Sequence, residues 1–449
     1  MVGVPFLALG LVLFSAPTRA QSLSEALAMA YTHAPDLRAA QAETRALDES
    51  VAVARSAWRP TITLNHDLSR QWTTTNAKAA GTPEETTVTT PRTLTASVSQ
   101  PIWNGQILPG IAAAEDRVEE GRARLLVQEQ TTLQGAADAY FDVLEGEELV
   151  ALRENKVSVL ARQLEAMTEG QVRGINTVTE LAQARASHAS AVAELQRART
   201  NLDTARSDFE LATGRPPRAL TFPGTLPEVP DSLDMLLEKV DETPTVWLAR
   251  AAADAARAEV DMAVGALLPS VDLRASQDWT FGSSESVDET STFTVGLSVN
   301  VPLYQSGAQW ATARQRKQTL GKALSGLDGA RDRARRNAVS AWNRLVAAQG
   351  NIASYEVASE ASRIAYEGVE AEYGNLGTRA YLDVLLALQD LFEARNNLLQ
   401  ARTAEAKTRF AVLAAAGELT AAALGLPVAI YNPVPHYESA RGRWFGLGE

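Results

Sequence analysis

Residues 21–225 can be laid on residues 226–425 by spacing alone. Pro35 to Pro60 spans 25 residues, and Pro244 to Pro269 spans 25 again. Pro101 and Pro302 close matching alternations of apolar and polar residues, SVSQPIW and LSVNVPLY. The stretch RGINTVTEL (173–181) then aligns with LGTRAYLDV (376–384) at an offset of 203. Each copy opens with a short and a medium helix, adds two alternating strands and closes with two helices of unusual length. A chain that duplicates such a unit is expected to build a tube.

The first copy reads as helices 22–33, 36–58, 107–173 and 176–213 with strands 61–72 and 92–102. The second reads as helices 232–242, 245–267, 308–376 and 379–416 with strands 270–281 and 292–301. Ser22 and Glu25 have capping-box spacing at the first helix start. The stretch 214–230, rich in Pro and Gly, links the copies, with Gly214 and Gly417 at equivalent helix ends. The segments 73–91 and 282–291, rich in Thr, Ser and Glu, are expected to be loops. The tail 426–449, with Pro427, Pro433 and Pro435, is expected to be irregular.

The strands alternate with period two. Val271, Leu273, Ala275, Trp279 and Phe281 oppose Asp272, Arg274, Ser276, Asp278 and Thr280, and the other three segments behave alike. His66 and Arg70 interrupt the apolar face of the first. Two readings fit: a soluble sheet with one face on a core, or a membrane barrel with apolar residues toward lipid and polar ones toward a wet lumen. Segments of about 10–12 residues suit a tilted membrane strand and are long for a globular one. Trp58, Trp103 and Tyr304 fall near one end of the strands, and Trp72, Trp279 and Phe281 near the other. Four strands cannot close a barrel, since small closed barrels need about eight, and an open edge cannot face lipid. Membrane insertion therefore requires an oligomer whose subunits share one barrel.

The helices carry heptads. Leu181, His188, Leu195, Leu202 and Phe209 are seven apart, beside an alanine row at Ala184, Ala191, Ala198, Ala205 and Ala212. A large row next to an alanine row makes a seam that lets helices approach closely. His188 is read as a packed heptad residue, not a ligand. An uninterrupted helix over 107–173 would be about 100 Å long, and the helices 36–58 and 176–213 stacked end to end would nearly match it. Such lengths suit the wall of a cylinder.

Composition removes several classes. A net charge of −12 leaves no basic footprint for nucleic acid. The absence of Cys excludes disulfides, thiolate metal sites and a lipid-modified N-terminal Cys. His33, His66, His188 and His436 are scattered without metal-ligand spacing. Gly321-Lys322 lacks the glycine that a P-loop needs five residues upstream, where Arg316 stands. No catalytic apparatus and no cofactor are expected. Residues 1–20, with the apolar stretch VPFLALGLVLFS, read as a signal peptide cleaved near Ala20, despite an n-region without Lys or Arg.

The segments HAPDLRAA (33–40), SVSQPIWNGQ (97–106), AYFDVLEGEELVAL (139–152), VGLSVNVPLYQSG (295–307) and LGTRAYLDVLLALQDLFEARNNLLQAR (376–402) closely resemble the TolC family of outer membrane efflux proteins. The resemblance covers nearly the whole chain after residue 20. It implies an α+β membrane protein: a homotrimer with a 12-stranded β-barrel, four strands per protomer, in the outer membrane, and an α-helical barrel reaching through the periplasm. It also implies a passive exit duct for drug efflux or type I protein secretion. The implied partners are a periplasmic adaptor protein and an inner-membrane pump or ABC transporter. A structural or adhesin-like coiled-coil protein is the rival reading; it explains the heptads but not the duplicated strands. A soluble periplasmic adaptor is a second rival, a class expected to carry a lipid anchor or transmembrane helix.

The turns at 173–176 and 376–379 join long helices and are expected at the periplasmic end of the tube. Glu180 lies six residues after Gly174, and Asp383 six after Gly377, so a trimer would carry two rings of carboxylates. By the resemblance, the acid at Asp383 belongs to the ring that narrows the entrance, and Arg379 helps hold the closed state. Arg379 and Asp383, four apart, are expected to share a helix face, with Glu180 a candidate partner for Arg379 across a helix interface. The position one turn after Asp383, acidic in the family, is Leu386 here, which implies a less acidic constriction. The resemblance maps the adaptor contact to Arg173, Gly174, Leu376 and Gly377.

Overall fold

The computed structural model describes residues 21–75, 85–284, 287–376 and 379–447; the expected signal peptide lies outside them. The chain forms two compact units, with boundaries inside three of its helices. Unit 1 comprises residues up to Arg38, Val127–Thr243 and Ala334–Ile430, and unit 2 comprises Ala39–Leu126, Pro244–Arg333 and Tyr431 onward.

In unit 1, α1 (Leu23–His33) starts at a capping box. The Glu25 N–H donates to Ser22 Oγ at 3.3 Å, and the Ser22 N–H donates to Glu25 Oε2 at 3.2 Å. The core is aromatic. Tyr140 and Phe141, on α3 (Ile107–Val172), meet Phe209 of α4 (Val178–Thr213), Phe410 of α8 (Tyr381–Ala415) and Phe222 at centroid distances of 5.8–6.4 Å. Burial of such rings outweighs most other packing contributions. Tyr140 keeps its polar tip satisfied by donating toward the carbonyls of Thr221 (2.7 Å) and Gln21 (3.2 Å). On α4, Ala184, Ala191 and Ala198 of the alanine row are buried together with Leu181, Leu202 and Phe209. Gly214, at φ 76°, ends α4 in the left-handed conformation that glycine adopts without a Cβ clash.

The expected helix 232–242 is divided into α5 (Leu233–Glu238) and a 3₁₀ turn at Val240–Glu242. Pro244 follows, and it holds Thr243 in the extended region at ψ 145°. The expected helix 308–376 is α7 (Ala308–Ala371) followed by a π turn at Glu372–Leu376.

Unit 2 holds α6 (Pro244–Gly265), nearly all of α2 (Pro35–Ser56) and a four-stranded antiparallel sheet in the order β1-β4-β5-β6. The strands are β1 (Thr61–Leu68), β4 (Arg92–Trp103), β5 (Ser270–Ser284) and β6 (Val287–Asn300). The register puts Ile62, Val98, Ala275 and Val295 in one cross-strand row, and Thr63, Ser97, Ser276 and Thr294 in the row beside it on the other face. Among the described residues, β1 and β6 each pair with one neighbour, so both edges of the sheet are open.

Four sequence expectations fail here. The strand 61–72 stops at Leu68, where the Ser69 N–H turns to Pro91 O at 3.1 Å, and resumes as β2 (Gln71–Thr75). β2 pairs with β3 (Glu85–Thr89), which occupies part of the expected loop 73–91. Likewise, β5 and β6 extend into the expected loop 282–291, past a bulge at Gly282 (φ 66°). The tail is not wholly irregular either. It forms α9 (Val434–Gly442), held by His436 Nδ1 against Asp48 Oδ2 at 2.8 Å, Arg122 over the Tyr437 ring at 5.0 Å, and Arg59 donating to Arg443 O at 2.8 Å. No helix among the described residues is long and apolar enough to cross a membrane, a statement that leaves the strands aside.

Candidate functional site: the helix turns of unit 1

Two turns lie together at one cluster. Met167 near the end of α3, Leu181 and Ala184 at the start of α4, and Tyr381 at the start of α8 form a buried apolar group, with Leu164, Tyr373 and Leu385 packed on it. The Tyr373 and Tyr381 rings are 5.9 Å apart, tilted by 50°. Tyr381 Oη donates to Gln163 Oε1 at 3.3 Å, and Tyr373 Oη approaches Met167 Sδ at 3.8 Å. Burial, with a smaller contribution from Tyr373, pushes the Tyr381 phenol up to about 12. Burial, then the nearby Glu180 carboxylate, raises that of Tyr373. Both stay protonated donors at any physiological pH.

In the first turn Gly174 takes φ 73°, and the Ile175 N–H folds back to Gly170 O at 2.8 Å. Asn176 Nδ2 donates to Met167 O at 3.3 Å. Thr177 is the N-cap of α4, and Glu180 completes a capping box: its Oε2 accepts from the Thr177 N–H at 2.7 Å and from the Thr177 hydroxyl at 2.9 Å. At offset 203, Ala380 is the N-cap of α8 and donates its N–H to Asp383 Oδ2 at 3.2 Å. Alanine has no side-chain acceptor, so only the carboxylate half of that box exists. Both predicted acids thus sit at the third position of a helix, where a negative charge complements the helix dipole. Both acids are half-buried.

Arg379 lies outside α8 and does not share a helix face with Asp383. It donates through Nε to Glu372 Oε2 at 2.9 Å, not to Glu180, and Glu372 followed by Asp383 raises its guanidinium pKa further. Arg173 is exposed and pairs with Glu169 at 3.4 Å. Leu376 is the last residue of the π turn, and Gly377 lies outside the described residues. Leu386 is 51 % exposed. Sequence reasoning missed Glu372, Tyr373, Tyr381 and Gln163. The T-x-x-E spacing of Thr177 and Glu180 was a readable capping signal.

Among the described residues no group of three or more His, Asp and Glu could hold a metal ion. The arrangement offers capped helix starts, a screened ion pair and two half-buried carboxylates. These are means of holding a turn and presenting charge.

The fold has counterparts among solved structures. The CmeC outer membrane channel of Campylobacter jejuni superposes with a TM-score of 0.81 at 16% identity, over 94% of this chain and 89% of that one. The chain therefore shares the fold of that channel. The sequence model of the family described as "Outer membrane efflux protein" matches residues 26–215 and 240–418. The chain belongs to that family. Outer membrane efflux protein BepC of Brucella suis is 34% identical over 451 residues, covering 100% of this chain and 96% of BepC. Outer membrane protein TolC of Escherichia coli is 26% identical over 405 residues, covering 87% and 80%. The resemblance read from the sequence segments is borne out.

Proposed function

We propose that three copies of this two-repeat chain close their sheets into one twelve-stranded barrel in the outer membrane and their long helices into a tunnel through the periplasm. The assembly is a passive exit duct for drug efflux or type I protein secretion. The observation that carries this reading is the sheet, with one apolar face, one polar face and two open edges. Unpaired strand edges cannot face lipid, and an even number of antiparallel strands closes them.

The turns of unit 1 are the gate and the docking end. Asp383 and Glu180 supply rings of charge, and charge rings set which ions pass a narrow pore. Arg379 holds the turn after α7 by its pair with Glu372. Arg173, Gly174, Leu376 and Gly377 present the surface that a periplasmic adaptor grips, linking the duct to an inner-membrane pump or ABC transporter that supplies the energy.

Single-channel recording in a planar bilayer tests this. Because Asp383 also caps α8, Asp383→Asn is the informative variant: an amide oxygen still accepts from Ala380 while the charge is gone. The wild type is expected to give a small, steady, cation-selective conductance, and Asp383→Asn to lower the selectivity at least twofold with an unchanged trimer. Arg379→Ser is expected to raise the conductance. A pore indifferent to both variants moves the gate elsewhere. A folded trimer without conductance favours the structural coiled-coil reading.

A further inference from the structure

The polar face of the sheet is organised in layers by its register. Thr61, Ser99, Arg274 and Gly296 lie side by side across the four strands. The next layer is Thr63, Ser97, Ser276 and Thr294, followed by Asn65, Thr95, Asp278 and Thr292, then Asp67, Thr93, Thr280 and Thr290. Arg274 is the one cation in these sixteen positions, and its neighbour on β6 is the only residue there without a side chain. A Cβ built on Gly296 meets nothing within 4 Å, so the glycine leaves space beside the arginine. That space is a cavity of about 180 Å³ lined by Arg274, Ser276, Thr294, Gly296, Leu297 and Ser298.

The guanidinium has no carboxylate partner among the described residues. Asp278 is occupied, with Oδ1 accepting from the Thr95 hydroxyl at 2.6 Å and Oδ2 from the Ser276 hydroxyl at 3.2 Å. Asp272, the preceding residue of β5 on the same face, makes no ion pair with Arg274. An arginine presents five N–H donors in a planar fork that matches carboxylate and phosphate oxygens. Here Arg274 lines a notch rimmed by three hydroxyls; Ser276 gives its proton to Asp278, which leaves Thr294 and Ser298 to add donors. The free donors, the missing side chain at 296 and the hydroxyl rim all fit a tetrahedral or planar oxyanion.

We propose that Arg274, with Thr294 and Ser298 around the Gly296 notch, is an oxyanion-binding site on the barrel wall. It takes phosphate, sulfate or carboxylate groups of solutes in transit. On the duct reading above, on which its lumenal placement rests, a trimer carries three such sites in one layer. The layer is opposite in sign to the Asp278 layer two rows away and to the Asp383 ring. Anionic cargo that has passed an acidic entrance then meets a cationic layer before leaving the barrel.

Binding is read first without current, by ³¹P line broadening of inorganic phosphate with the purified full-length protein in detergent. Wild type is expected to broaden the line. Arg274→Gln and Gly296→Leu should each cut the broadening at least threefold, the second by filling the notch with the charge retained. In bilayers, Arg274→Gln should shift the potassium-to-chloride permeability ratio toward potassium at least twofold, opposite to the shift of Asp383→Asn. Equal phosphate broadening by wild type and Arg274→Gln overturns the site, as does loss in Arg274→Gln with none in Gly296→Leu, which would leave only a diffuse surface charge. Phosphate binding lost in both variants, from a wild type that passes no current, supports the site and overturns the duct.

Discussion

Glu129 is buried at 7 % exposure on α3, and its Oε1 accepts from the Ala421 N–H at 2.7 Å. Burial raises its carboxyl above the usual range, and the hydrogen bond opposes that only in part. The folded state therefore holds this proton more tightly than the unfolded state does. The sign follows: the favourable contribution is complete below the unfolded value of 4.5 and is lost as pH rises through the raised folded value. Glu129→Gln keeps an acceptor for Ala421 and removes the charge. At pH 7.5 it is expected to stabilise by about 1 kcal/mol, the usual scale of single substitutions. At pH 4 the gain should vanish, which thermal denaturation at both pH values would show. Equal effects at the two pH values would mean that the charge costs nothing in place. Such a carboxylate is not visible in sequence, because only the fold puts Ala421 above it. Glu180 and Asp383, by contrast, were legible from the offset of 203, since equivalent turns need equivalent N-terminal acids. The partner of Arg379 was not. Ala380 as N-cap leaves the arginine outside the helix, where side-chain spacing rules for helices do not apply.

The helices and strands were the legible part, because heptads and alternation report directly on which face is buried. What the periodicity could not report was where one element ends against another. Gly105 follows β4, and Gly265 closes α6. A Cβ on Gly265 would lie 2.1 Å from Gly105 O, and one on Gly105 2.9 Å from Gly265 O. Backbone meets backbone there, and neither side can yield as a flexible side chain would. Gly265→Ala is expected to cost at least 1–3 kcal/mol, the range for overpacking a tight site, and to lower the yield of folded protein. Gly326→Ala in α7 is the control: its Cβ meets nothing within 4 Å, and replacing a helical glycine should stabilise by roughly 0.5–1 kcal/mol. Equal yields and melting temperatures for the two variants would mean that the close approach is not needed. The π turn at Glu372–Leu376 was equally hidden, because the expected helix ran through it without a proline to mark a break.

For the assembly, the order β1-β4-β5-β6 has a consequence for closure. All three pairings are antiparallel, so β1 and β6 run in opposite directions. The β6 edge of one protomer can then accept the β1 edge of the next in the same antiparallel sense, and repetition continues until the ring closes. An open array would polymerise, whereas a closed one stops at a fixed number. The natural chain has no cysteine, so introduced pairs report without background. Ile62→Cys or Leu64→Cys on β1 is combined with Phe293→Cys, Val295→Cys, Leu297→Cys or Val299→Cys on β6, all on the apolar face. Directly opposed residues in antiparallel strands have Cβ atoms about 4.5–5.5 Å apart, close to the range a disulfide spans. Because barrel closure staggers the register, the scan covers several β6 positions. At least one pair is expected to oxidise in the outer membrane to a ladder of one, two and three protomers that ends at three. A ladder that runs on beyond three would describe an open fibre of sheets. If no pair cross-links while each variant is folded and present in the outer membrane, β1 and β6 do not meet, and the shared barrel is wrong.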